Sequence, residues 1–250
     1  MQIQVQNLSF AYNHFRALRE ISFETTPGDM LAIIGQNGSG KSTLLKCICR
    51  ILKTTEGSIR FGNTTLKSIS PSKLSRIVAY IPQSEAAISG ISVFDTVLLG
   101  RKPYISSRPT NDDMVLVSRL LERLELDQIA MRPLNTLSGG QQQRVFIARA
   151  LAQQPSVLLL DEPIANLDIN HQMKVMKLLR QLAHEGMTVI ITIHDINMAA
   201  RFCNKALMLK QGQVFASGLQ SVYTPENIEQ LYDIRVDVLR HNDCICIIPQ

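Results

Sequence analysis

Met30-Leu31-Ala32-Ile33-Ile34-Gly35-Gln36-Asn37-Gly38-Ser39-Gly40-Lys41-Ser42-Thr43 is the stretch that decides the fold of this chain. Five apolar residues in a row read as a strand buried on both faces, and the run stops at a glycine. Gly35 through Ser42 then fits G-x-x-x-x-G-K-[ST]. Glycines let the backbone wrap closely around an anion with its N–H groups pointing inward. The helix predicted from Lys41 to Leu52, with Leu44, Leu45, Ile48 and Leu52 on one face, presents its positive N-terminal end to the same anion. A phosphate-binding loop requires a strand before it and a helix after it; a Gly-rich turn with a chance lysine requires neither. Lys41 is expected to reach the β- and γ-phosphates of a nucleotide, and Ser42 to ligate Mg²⁺.

Working outward, the N-terminal 35 residues read as short strands with a turn at Thr26-Pro27-Gly28-Asp29. Residues 57–70 read as a hairpin around Gly62-Asn63, and Ile77–Ile81 as a buried strand closed by Pro82. The stretch 84–136 changes character: polar loops lead into a helical segment, Asp112–Leu126, as in an inserted helical subdomain. From residue 141 the pattern alternates helix 141–153, strand 157–161, helix 171–185, strand 188–193. Alternation of that kind predicts a mainly parallel sheet flanked by helices. A helix at 196–203, a hairpin at 205–216 around Gln211-Gly212 and a helix at 225–232 complete the reading. The fold class is therefore α/β: a P-loop NTPase core with an N-terminal antiparallel β subdomain and an inserted α-helical subdomain. In domain terms, 1–250 is one unit, with the core in 1–83 and 155–250 and the helical part in approximately 84–154.

The second chemical signal is Val157-Leu158-Leu159-Leu160-Asp161-Glu162, an apolar strand ending in two carboxylates. In open α/β sheets that edge is where ligands bind. Asp161 is placed to hold Mg²⁺, directly or through water. Glu162 is placed to orient or deprotonate an attacking water. An apolar run ending in Asp-Glu is common by itself; paired with the phosphate loop it indicates nucleoside triphosphate hydrolysis.

Composition sets the outer limits. The chain has 250 residues, 45% apolar and 19% charged, enough for a sizeable core. Its net charge of +5 is spread without any long Lys/Arg run, so no nucleic-acid partner is expected. Five cysteines at irregular spacings, Cys47, Cys49, Cys203, Cys244 and Cys246, suggest a reducing compartment rather than a disulfide scaffold. Cys47 and Cys49 read as small thiols of an apolar helix, and the Cys244–Cys246 pair as part of an extended terminal strand open to oxidation. The opening residues alternate like a strand rather than forming a leader, and the longest apolar runs are far short of a membrane span.

A third motif narrows the family. Leu137-Ser138-Gly139-Gly140-Gln141, followed by Gln142-Gln143-Arg144 and lying just ahead of the Asp161 strand, resembles the signature of the ABC ATPases. The likeness extends to Tyr12, at the position of the aromatic that stacks on adenine, and to Gln83, at that of the glutamine that senses Mg²⁺ and links to the membrane partner. Ala165-Asn166-Leu167-Asp168 matches the D-loop, and His194 the switch histidine that contacts the γ-phosphate. Gln36 stands where a proline is common, and Ile164 where a threonine or serine is common. The resemblance implies Glu162, His194, Gln83 and Lys41 as catalytic residues. It implies nucleotide binding by Tyr12, Gly35, Asn37, Gly38, Ser39, Gly40, Lys41, Ser42 and Thr43, with Ser138, Gly139, Gly140, Gln141 and Asp168 acting on the nucleotide of a second copy. Ser42, Gln83 and Asp161 are the implied Mg²⁺ ligands, and ATP and Mg²⁺ the implied cofactors.

Three further segments, Val93–Tyr104, His194–Cys203, and Tyr223–Ile228 with Leu231-Tyr232, resemble the ATPases of iron–siderophore, haem and cobalamin importers. That likeness implies a homodimer docked peripherally on polytopic permease subunits at the cytoplasmic face of the inner membrane. It also implies an extracellular or periplasmic substrate-binding protein in the same system. The alternatives are a non-transport ABC ATPase, as in iron–sulfur cluster assembly, and an importer motor for another cargo.

Overall fold

The computed structural model describes residues 1–83, 90–241 and 244–250, without the side chains of His241 and Cys244. The polar loop read from residue 84 therefore lies in part outside the described residues, as does the side-chain chemistry of the Cys244–Cys246 pair.

The strand read from the opening stretch is β3 (Met30–Ile34), every residue of it buried. Before it come β1 (Ile3–Tyr12) and β2 (Phe15–Thr25), paired antiparallel. After it come α1 (Lys41–Ile48), β4 (Glu56–Phe61) and the short β5 (Thr64–Thr65). These four strands form an antiparallel sheet in the order β2-β1-β4-β5. Next in the chain are α2 (Pro71–Ile77), β6 (Val78–Ile81), α3 (Val93–Leu98), α4 (Asn111–Arg123) and α5 (Gly139–Ala152). They are followed by β7 (Val157–Asp161), α6 (Ile169–His184), β8 (Thr188–Thr192) and α7 (Ile196–Phe202). The chain closes with β9 (Lys205–Lys210), β10 (Gln213–Gly218), α8 (Pro225–Tyr232), β11 (Val236–His241) and β12 (Cys244–Pro249).

The central sheet runs β10-β9-β3-β8-β7-β6. All its pairings are parallel except β9 with β10. β3, β7 and β8 are buried along their whole length, which is why they read as largely apolar runs. Side chains alternate between two cores as the pleat requires. Met30, Ala32, Ile34, Leu158, Leu160, Val189 and Ile191 pack with α3 to α8. Leu31, Ile33, Val157, Leu159 and Ile190 pack on the other face with α1 and the antiparallel sheet.

The expected architecture stands, and several boundaries move. α1 stops at Ile48, not Leu52, because Arg50 turns into the left-handed region (φ 60°). Its guanidinium donates instead to the carbonyls of Leu66 (3.2 Å) and Ile69 (2.6 Å). Ile77 ends a helix rather than opening a strand; that helix starts at Pro71 behind the N-cap Ser70. The hairpin expected over 57–70 is β4 with a two-residue return strand and a 3₁₀ turn. α3 was not expected, α5 begins two residues before the predicted 141, and α6 spans 169–184 rather than 171–185. The terminal strand is half of a hairpin, β11 with β12. Burial pushes the thiols of Cys47 and Cys49 up to about 12 and about 11, so both are protonated at neutral pH.

Candidate functional site

β3, β8, β7 and β6 are neighbours and parallel, so their C-terminal ends lie on one edge of the sheet. Each end delivers part of the site. β3 runs into the loop Gly35–Gly40, where Gly38 and Gly40 take φ of 79° and 102°. A Cβ on Gly40 would stand 2.7 Å from the Ala17 carbonyl, so both the conformation and the space there demand glycine. β7 ends in Asp161 and Glu162; β8 leads to His194, and β6 to Gln83. Above this edge opens a cleft of about 650 Å³. Tyr12, Asn37, Gly38, Gly40, Lys41, Ser42, Thr43, Gln83, Glu162 and His194 all line it, so most of the expected site residues share one cavity.

Two carboxylates organise the floor. Asp161 is buried, and its Oδ1 accepts from Ser42 Oγ (2.9 Å) and Thr192 Oγ1 (2.6 Å). Its Oδ2 accepts from the Tyr80 hydroxyl at 3.4 Å. Burial first, and then the Asp161 charge, pushes that phenol well above its usual value, so it stays a neutral donor. Glu162 lies in the left-handed region (φ 51°), costing roughly 1 kcal/mol for a residue with a Cβ. Its backbone N–H donates to Thr192 Oγ1 at 2.8 Å. Its carboxylate accepts from Gln83 Nε2 (2.5 Å) and meets His194 Nε2 on its other oxygen. Gln83, Glu162 and His194 are thus one hydrogen-bonded trio.

Lys41 is 5% exposed, and its ammonium donates to the carbonyls of Gly35 (2.8 Å) and Gln36 (3.1 Å). Burial pushes its pKa down, opposed by the Glu162 and Asp161 carboxylates. The cradle suits a polyphosphate: its glycines leave no side chain in the way, and the buried Ser39 Oγ lacks a hydrogen-bond partner. Ser42 and Asp161 are oxygen donors side by side, the chemistry a hard divalent cation takes. Among the described residues no three His, Cys, Asp or Glu side chains form a metal cluster. Mg²⁺ needs none, since it binds through one or two carboxylates plus phosphate oxygens.

Ser138, Gly139, Gly140, Gln141 and Asp168 do not line this cleft. Ser138 caps α5, its Oγ accepting from Gln141 N–H, while Gln141 Oε1 accepts from Ser138 N–H at 3.1 Å. Asp168 caps α6 by accepting from His171 N–H at 2.8 Å. The N-caps of both helices, Ser138 and Asp168, are exposed.

Sequence reasoning missed Thr192, Tyr80 and Phe15. Thr192 is a hydroxyl at the C-terminal end of β8, whose role depends on its neighbour β7. Phe15, 65% exposed beside Tyr12 in the cleft, sits one short turn from a predicted site aromatic. Gln36, at the position where proline is common, donates to Asp233 at 3.2 Å, just after α8.

Residues 18–165 match the family model described as ABC transporter. A hemin import ATP-binding protein of Bordetella avium is 38% identical over 96% of this chain and 95% of its own length. An iron(3+)-hydroxamate import ATP-binding protein of Bacillus subtilis is 34% identical over 98% of this chain and 94% of its own. Among solved structures, a chain of an inward-facing transporter described as metal-chelate type superposes with a TM-score of 0.87. It is 32% identical and covers 99% of this chain and 97% of its own.

Proposed function

This chain belongs to the ABC transporter family as an ATP-binding and ATP-hydrolysing subunit, and from that premise we propose that it drives uptake of a metal chelate through a membrane permease. The cargo class is an iron–siderophore complex, haem or cobalamin. The observation that carries this reading is that the likeness to the hemin and iron-hydroxamate import proteins spans nearly the whole of both chains, not the nucleotide motifs alone. Two copies work as a homodimer docked peripherally on polytopic permease subunits at the cytoplasmic face, supplied by a substrate-binding protein outside. Among the described residues no helix is long and apolar enough to cross a membrane.

Within one chain, Tyr12 stacks on the base, and Gly35, Asn37, Gly38, Ser39, Gly40 and Thr43 wrap the phosphates. Lys41 neutralises the β- and γ-phosphates, and the Glu162 and Asp161 carboxylates favour its charged form against burial. Ser42, Asp161 and Gln83 would hold Mg²⁺, which when bound spreads the charge developing on the transferred phosphoryl group. Glu162 orients and deprotonates the attacking water, with Gln83 and His194 fixing its carboxylate. His194 is the contact to the γ-phosphate. Ser138, Gly139, Gly140, Gln141 and Asp168 close over the nucleotide held by the second copy. We assign the core to residues 1–83 and 155–250 and the helical subdomain to approximately 84–154.

A pull-down of the tagged chain from detergent-solubilised membranes, with partners identified by mass spectrometry, tests the transport reading. A polytopic permease of the metal-chelate class is expected. Recovery of soluble partners alone, from a preparation that still hydrolyses ATP, would move the chain to the non-transport ABC ATPases.

A further inference from the structure

His171 lies on neither the phosphate loop nor the signature, yet it touches both segments assigned to the second copy's nucleotide. Its Nδ1 is 2.7 Å from Asp168 Oδ2 and 2.8 Å from Oδ1, so the ring N–H donates to that carboxylate. The same imidazole lies flat against the start of α5. A Cβ built on Gly140 would stand 2.7 Å from His171 Cγ and 2.9 Å from Nε2, closer than side chains approach one another. Gly140 has no φ that demands glycine; the three atoms nearest to a side chain built there all belong to the His171 ring. The ring is therefore wedged between Asp168, the N-cap of α6, and Gly140, in the first turn of α5. The cap itself does not depend on the imidazole, because the backbone N–H of residue 171 donates to Asp168 Oδ1 whatever the side chain.

We propose that His171 is a positioning residue that locks the Asp168 loop to the signature helix, so that both meet the partner copy's nucleotide as one rigid surface. A surface held in place before association loses less conformational freedom on closing. The strut thus favours the ATP-bound dimer while leaving each chain's own cleft untouched. This rests on the homodimer reading above.

The test uses the full chain carrying Glu162→Gln, which should accumulate the ATP-bound dimer, with and without His171→Ala. The dimer dissociation constant at saturating Mg-ATP is read by light scattering, and nucleotide affinity at a concentration where the chain is monomeric. His171→Ala is expected to weaken dimerisation about tenfold with monomer affinity unchanged. Equal dimerisation in the two proteins would overturn the strut. Failure of the parent itself to dimerise would instead count against the homodimer reading. Gly140→Ala supplies an independent check on the packing. It should lower the melting temperature by a few degrees when His171 is present and not in the His171→Ala background, where the space is empty. An equal loss in both backgrounds would contradict the wedge.

Discussion

At Thr192 a single hydroxyl serves two neighbours: it donates to Asp161 and accepts from the backbone N–H of Glu162. Both partners belong to the catalytic corner, and Asp161 is buried. Thr192→Val keeps the shape and the β-branch but strands the Glu162 N–H and leaves Asp161 Oδ1 with Ser42 as its remaining donor. The expected cost is about 1–3 kcal/mol in stability, read by denaturant unfolding. A fall in kcat larger than the change in ATP affinity is also expected, because Glu162 loses its backbone anchor before Lys41 loses anything. Unchanged kcat with intact folding would mean that Glu162 is held by its trio with Gln83 and His194 alone. Glu162 itself shows how the site combines a strained backbone with a fully partnered carboxylate.

At the level of elements, α4 shows how local signals and long-range chemistry reinforce each other. Thr110 and Asp113 form a reciprocal capping box, and the buried Arg101 donates to the same carboxylate at 2.7 Å. The hydrogen bonds from Thr110, and then the Arg101 guanidinium, hold Asp113 down to about 2 against an ordinary 3.8. A depressed carboxylate stabilises the folded state above its unfolded pKa and stops doing so as pH falls through its folded one. Asp113→Asn should therefore cost about 2 kcal/mol at neutral pH by leaving the buried Arg101 without its counter-charge. Below about pH 2 the difference between variant and parent should vanish, as urea titrations across that window would show. A constant difference at every pH would remove the ion pair from the explanation.

The same scale explains what could be read beforehand. β3, β7 and β8 were legible because strands buried on both faces are unbroken apolar runs, and because the glycines and carboxylates that end them are chemically distinctive. α2 and α3 carried readable caps, Ser70 before Pro71 and Ser92 three residues ahead of Asp95, but each is under two turns of helix and has little periodicity. The end of α1 was not legible, since Arg50 leaves the helix to reach carbonyls sixteen and nineteen residues away. In the site, Lys41, Asp161 and His194 were visible as motif positions. Thr192 and Tyr80 acquire their roles from the strand order β8-β7-β6, which no local pattern encodes.

On the scale of the whole molecule, the signature segment does not line its own chain's cleft, and the proposed function makes the two of them halves of one site. The phosphate loop and the Glu162 trio line one cavity, with the buried Asp161 joined to it through Ser42, while Ser138 and Asp168 cap helices outside its lining. In that proposal two copies related head to tail bring the halves together, each closing the other's cavity over its nucleotide. On this proposal ATP acts as part of the interface and its hydrolysis releases the pair, the stroke a membrane partner can use. The central claim is that binding, not turnover, closes the dimer. The direct measurement is the light-scattering mass of the Glu162→Gln chain with and without Mg-ATP. The account predicts 28.0 kDa without nucleotide and twice that with it, together with near-abolished turnover. A protein that stays at the monomer mass in saturating Mg-ATP, or that hydrolyses ATP at the parent rate, would contradict it.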